Sequence, residues 1–165
     1  MKQGSRQSGV TLIELMVSIT VLAIILFIGV PSFQSTLESS RARAITNDLA
    51  GALQLARSEA LKRRVDVTVC ISNQNQNGCD NDGNWNEGWL ITATGSNEVV
   101  RVWAGVSASL GANVIQAPAN GISFTREGFI VGALTHQVAI NIPNHERCIN
   151  INPSGQVSVS IGACI

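Results

Sequence analysis

From Val10 to Val30 the chain reads VTLIELMVSITVLAIILFIGV, 21 residues in which Glu14 is the only charge. A helix of that length spans roughly 31 Å, the thickness of a bilayer core. A carboxylate is expensive in lipid and demands a partner of opposite charge. Lys2 and Arg6 precede the run, and Gly9 closes the polar stretch before it. An ordinary secretory signal begins in the same way. This run, however, exceeds a typical signal core, and no small-x-small cleavage site with a break in helical pattern follows.

The helical pattern continues instead. After Pro31, the apolar positions Phe33, Leu37, Ile45, Leu49, Leu53, Ala56, Ala60 and Leu61 recur mostly at helical spacing, with Arg41, Arg43, Asp48, Arg57 and Glu59 between them. One helix from about Val10 to Arg64, kinked at Pro31, is expected; its 55 residues would measure roughly 82 Å. Its first half is apolar all round and its second half amphipathic. Beyond about residue 65 the chain turns to Asn, Gly, Ser, Thr and Val, a β-domain composition. VDVTVCI places Val65, Val67, Val69 and Ile71 on one face of a strand, and WLITA follows a polar loop. Further strands are expected at 98–104, 113–117, 121–126, 137–142, 146–152 and 156–161, separated by Gly-, Pro- and Asn-rich turns. The expected class is α+β, a long helix whose amphipathic half packs on antiparallel sheet.

The segment Gly9-Val10-Thr11-Leu12-Ile13-Glu14, set between a short basic leader and a proline at the end of the apolar stretch, resembles the type IV pilins and the pseudopilins of type II secretion. The resemblance implies a leader peptide at 1–9, a transmembrane and assembly half-helix at 10–30, an amphipathic half at 31–64 and a periplasmic head at 65–165. It implies that a prepilin peptidase cuts after Gly9 and methylates Val10, where relatives most often have Phe or Met. Glu14 would then pair with the new α-amine of Val10, in its own chain or a neighbour's. The implied partners are other minor and major pilins through the N-terminal helix, the peptidase and an inner-membrane assembly platform. The chain would sit in the inner membrane before assembly and in the fibre at the cell surface afterwards.

A second, narrower resemblance concerns the head. Cys70, Cys79, Trp85 and Gly88-Trp89, together with Leu55-Ala56-Arg57-Ser58-Glu59-Ala60, resemble the H-type minor pseudopilins and their minor-pilin relatives, the GspH/FimT-like family. Leu90, Ile91 and Thr92 depart from the Phe and Asp usual after the Gly-Trp pair.

The four cysteines fit an oxidising compartment. Pairing Cys70 with Cys79 and Cys148 with Cys164 would pin the loop after the first strand and tie the last strand to its predecessor. Four cysteines allow three pairings, and sequence alone does not select this one. A zinc site is the rival, without a C-x-x-C to favour it. Asp80, Asp82 and Asn84 imitate a calcium loop, but Trp85 stands where its glycine belongs and Ile91 where its glutamate belongs. His136 and His145 lack a nucleophile context. Trp85 and Trp89 read as packing residues, and Arg57, Lys62, Arg63 and Arg64 as a solvated face at the helix end, with a subunit contact as the alternative. No catalytic residue, metal site or cofactor is expected.

From Val10 onward 9 basic residues face 11 acidic ones, a net of −2, which gives no electrostatic case for nucleic acid. Some relatives are thought to take up DNA through basic residues near the C-terminus. Here Pro153-Ser154-Gly155-Gln156-Val157-Ser158 has glutamine and serine at those places. Three functions stay open: a minor pilin that joins and helps initiate a type IV pilus at its tip, a type II secretion pseudopilin, and a DNA-uptake minor pilin.

Overall fold

The computed structural model describes residues 9–95, 98–107, 110–111, 113–132 and 135–165, with Pro31 described by its backbone alone. The chain divides into two compact units, Met1–Leu37 and Glu38–Ile165. Both contribute to α1, Leu12–Arg63, which is 52 residues long.

In the first unit every described side chain from Val10 to Leu37 is exposed. The hydroxyls within this apolar helix satisfy themselves: Ser18 Oγ donates to the Glu14 carbonyl at 2.7 Å and Thr20 Oγ1 to that of Met16 at 2.7 Å. That is how a hydroxyl is tolerated where water is scarce. Helical backbone runs through position 31 without a break. The Pro31 side chain, on which the expected kink depends, lies outside the described residues.

In the second unit α1 buries Ala42, Thr46, Leu49, Leu53, Ala56 and Ala60, a stripe of period three to four. Alanines at 42, 56 and 60 let strands approach the helix closely, and Thr46 hides its hydroxyl by donating to the Ala42 carbonyl at 2.6 Å. The stripe expected from Phe33 onward therefore begins only at Ala42. Phe33 and Leu37 belong to the first unit and are 65% and 41% exposed; Leu61 is also about half exposed. The helix ends when Arg64 takes a left-handed conformation, φ 56°, its N–H still bonded to the Ala60 carbonyl at 2.9 Å.

Eight strands follow among the described residues: β1 Val67–Ile71, β2 Gly88–Ala93, β3 Glu98–Ala104, β4 Ile115–Gln116, β5 Ile122–Phe124, β6 His136–Ile140, β7 Arg147–Ile151 and β8 Val157–Ile161. They form two four-stranded sheets, ordered β3-β2-β1-β5 and β4-β6-β7-β8, with every pair antiparallel. The alternation of β1 buries Val67, Val69 and Ile71; Val65 precedes the strand. Opposite them, Trp89, Ile91 and Ala93 of β2 turn the same way, and Ile149 and Ile151 of β7 with Val138 and Ile140 of β6 complete the core beneath the helix stripe. The protein is thus α+β, a long N-terminal helix packed through its second half on antiparallel sheets.

Cys70 is bonded to Cys79, and Cys148 to Cys164. The first closes the loop between β1 and β2, and the second ties the chain after β8 back to β7. Replacing both Cys148 and Cys164 by serine removes a closure of 16 residues. It should lower head stability by about 3 kcal/mol, the chain-entropy value for such a loop, as read from the midpoint of denaturant unfolding.

Candidate functional site

The helix start is the first place where the sequence concentrates chemistry. Gly9 and Val10 lie in irregular, exposed backbone just before α1, so the bond between them is accessible in the chain alone. Thr11 caps the helix: its carbonyl accepts from the Leu15 N–H at 3.2 Å, and its Oγ1 from the Glu14 N–H at 3.3 Å. Threonine followed three residues later by glutamate is a helix-capping sequence, a role for Thr11 that the apolar pattern had hidden. The acid at position 14 also lies in the first turn, where the helix dipole favours negative charge. Glu14 itself is exposed, as is the apolar surface that follows it, to Phe27 at 85%. The helix is long and apolar enough to cross a membrane.

At the other end of α1 the expected solvated cationic face separates into distinct roles. Arg57 Nε donates to the Gly128 carbonyl at 3.1 Å and its Nη2 to the Ser154 carbonyl at 2.9 Å. One guanidinium thus fastens the helix to the β5–β6 connection and to the β7–β8 turn. The two turns meet beneath it. Gly155 has φ 76°, and a Cβ built there would fall 2.2 Å from the Gly128 oxygen, so only glycine fits. Arg63 bonds Glu59 one turn back and reaches Glu98 of β3 at 3.0 Å; Lys62 adds a contact to Glu59 at 3.6 Å. The Arg63 hydrogen bond holds the Glu59 carboxyl below its ordinary range, with Lys62 assisting and burial opposing. Glu127 is held low in the same way, chiefly by Arg126 and then by Thr125.

The polar loop between β1 and β2 is folded on itself. Asp80 Oδ1 accepts from the Asp82 N–H at 3.0 Å and Asn84 Oδ1 from the Asn86 N–H at 3.0 Å, so these side chains serve turns. Asn86 is a residue the sequence did not single out. Its side chain accepts from the Ile115 N–H at 3.0 Å and its carbonyl from the Val106 N–H at 2.7 Å, drawing the β3–β4 connection onto the loop. Trp85 is buried and donates to the Pro118 carbonyl at 3.2 Å; Trp89 is buried and stacks on Trp103 at 6.4 Å. The glycine before Trp89 has a physical reason. Gly88, at φ 121°, passes so close to β3 that a Cβ would lie 2.7 Å from the Trp103 carbonyl. Both tryptophans therefore pack the head. His136 opens β6 opposite Ile151 of β7, and His145 lies in the turn before β7.

Comparison with known proteins bears on both regions. A family model described as Type II transport protein GspH matches residues 46–155, the buried half of α1 and nearly all of the head. The chain belongs to the GspH family. A model of the prokaryotic N-terminal methylation motif matches residues 4–30, a span that holds Gly9, Val10, Thr11 and Glu14. The GspH match ends before β8 and Cys164. Among solved structures, the type IV minor pilin FimU of Pseudomonas aeruginosa PAO1 has the same fold. One crystal form is 21% identical with a TM-score of 0.56, over 80% of this chain and 98% of FimU. The other is 23% identical with a TM-score of 0.53, over 76% and 98%. The minor pseudopilin EpsH of the Vibrio cholerae type 2 secretion system is 12% identical, with a TM-score of 0.44 over 74% and 97%. No curated protein matches the chain. The family is thus the one described as Type II transport protein GspH, and the fold is one shared with FimU.

Proposed function

We propose that the chain is a structural minor pilin that enters a type IV pilus and helps to initiate it at the tip. The supporting observation is that one chain carries both the methylation-motif segment at 4–30 and a GspH-family head of FimU-like fold. In this reading the prepilin peptidase cuts after Gly9 and methylates Val10, and the apolar helix holds the chain in the inner membrane with its head in the periplasm. Assembly then transfers that helix from lipid into contact with the helices of other minor and major pilins at the inner-membrane platform. Glu14 supplies the carboxylate that meets the Val10 α-amine of a neighbour, since neither charge is stable alone in an apolar surrounding. Pro31 is proposed to kink the helix.

Deleting the gene should abolish or sharply reduce surface pili while leaving protein secretion unchanged. The family description, a type II transport protein, favours the alternative of a secretion pseudopilin. Lost secretion with intact pili would establish that alternative and refute the pilus reading. Processing has its own test. Mass spectrometry of the membrane form should find the mature chain starting at methylated Val10, and an intact Met1 in cells with active peptidase contradicts it. A charged side chain at position 9 should block cutting.

DNA uptake is not part of this proposal. From residue 127 onward Arg147 is the only basic residue, against Glu127 and Glu146, a formal charge of −1. Arg57, the cation nearest the β7–β8 turn, is committed to two carbonyls. Without clustered cations in this C-terminal stretch to release counterions, the chain should show only weak, salt-sensitive duplex binding. A gel shift at about 150 mM salt, near physiological ionic strength, checks this; a micromolar complex would overturn it.

A further inference from the structure

Asparagine followed by glycine is the dipeptide that loses its side-chain amide most readily, because no side chain shields the next backbone nitrogen. The chain has two such pairs, Asn77-Gly78 in the polar loop after β1 and Asn120-Gly121 just before β5, and both asparagines are exposed. The chemistry is the same at either. The glycine N gives up its proton and attacks the asparagine Cγ. A C–N bond forms, the Cγ–Nδ2 bond breaks, and the departing amide takes a proton from solvent and leaves as ammonia. Water then opens the cyclic imide at one carbonyl to give aspartate, or at the other to give isoaspartate. Attack requires a glycine N that is unbound and able to swing toward Cγ.

The fold withholds both conditions at Asn120. The Gly121 N–H donates to the Pro118 carbonyl at 3.0 Å, and the same carbonyl accepts from buried Trp85 at 3.2 Å, which holds the turn on the core. Gly121 has φ 77° and lies so near β1 that a Cβ there would fall 2.5 Å from the Val69 carbonyl oxygen. Its neighbour Ile122 is already paired with Val69. At Asn77 both conditions are met. The Gly78 N–H has no hydrogen-bond partner among the described residues, and a Cβ built at Gly78 meets only Asn73 Nδ2, at 3.6 Å. Asn73 holds the Asn77 side of the junction. Its Oδ1 accepts from the Asn77 N–H at 3.0 Å, and its Nδ2 donates to Asn77 Oδ1 at 2.8 Å. A donor on that oxygen stabilises the negative charge it takes up when Cγ is attacked.

We infer that Asn77 is a site of spontaneous deamidation in the folded chain, while Asn120, in the same dipeptide, is protected by the fold. The product adds a carboxylate to a loop that already carries Asp80 and Asp82. Where isoaspartate forms, an extra carbon enters the backbone inside the ring closed by Cys70 and Cys79, and the bond from the Asn73 N–H to the Gly78 carbonyl at 3.0 Å is displaced. This exposed loop thus grows more acidic with the age of the molecule, whichever assembly the head belongs to.

The test is to incubate the full-length chain, kept folded in mild detergent, in mildly alkaline buffer and follow both sites by peptide mass spectrometry, with aspartate and isoaspartate separated by chromatography. Asn77 should convert at least about tenfold faster than Asn120, a barrier difference of about 1.4 kcal/mol. With the disulfides reduced and the chain unfolded in urea, Asn120 should approach the rate of Asn77, because the dipeptide alone then governs both. Gly78→Ala should slow conversion at Asn77 and leave Asn120 unchanged. Equal rates at the two sites in the folded chain, or an Asn77 that converts only after unfolding, overturns the inference.

Discussion

Glu14→Ala should leave the chain in the membrane and sharply lower its incorporation into fibres. Insertion loses nothing, because a charge at a helix position in lipid disfavours it by about 2.5–3.5 kcal/mol on insertion scales. Assembly loses the partner of a neighbour's Val10 amine. If about 3 kcal/mol of that desolvated charge then goes unmatched, incorporation falls by about a hundredfold, since each 1.4 kcal/mol is tenfold. Glu14→Gln is the sharper variant. The Thr11 cap uses the backbone N–H of residue 14, so the helix start survives the exchange. Thr11→Ala removes the cap and keeps the charge; it should cost about 1 kcal/mol of local helix stability and spare most incorporation. Comparing the ratio of fibre-bound to membrane-bound chain across the three separates charge pairing from helix capping. Normal incorporation of Glu14→Gln would dismiss the pairing.

Gly155→Ala should destabilise the head by about 2–4 kcal/mol, through a left-handed backbone that alanine resists and a Cβ forced onto the Gly128 oxygen. Arg57→Ala should cost about 2–3 kcal/mol, because two carbonyls in tight turns lose a charged donor. Arg57→Lys keeps the charge without the fork and should fall between the parent and Arg57→Ala. Thermal melts of a chain lacking residues 1–30 would register the larger losses as about a 10 °C drop. If Arg57 were only a solvated cation, both of its variants would stay within about 0.5 kcal/mol of the parent.

These two sites show how far the sequence could be read. The helix was legible because its signals are local: an unbroken apolar run, then an apolar stripe. The strands were legible through alternation, and β1 and β2 lie within two residues of their expected bounds. Contacts across long sequence separations were not. Arg57 looked like one member of a basic cluster because its acceptors come from turns 71 and 97 residues away. Asn86 drew no notice within an asparagine-rich loop, since what distinguishes it is the approach of Val106 and Ile115. Phe33 and Leu37 continue a pattern that reads as core, but both are exposed and the buried stripe of the helix begins at Ala42. The capping role of Thr11 is hidden for the opposite reason: its signal is local, but the apolar pattern overlies it.

In the proposed function, residues 10–30 carry this chain out of the membrane into a fibre after cleavage at Gly9. Mass spectrometry of pili sheared from cells puts that transfer to the test. The expected result is a minor component whose N-terminal peptide begins with methylated Val10. Sheared pili free of this chain, with the full-length protein starting at Met1 still in the membrane fraction, would contradict it.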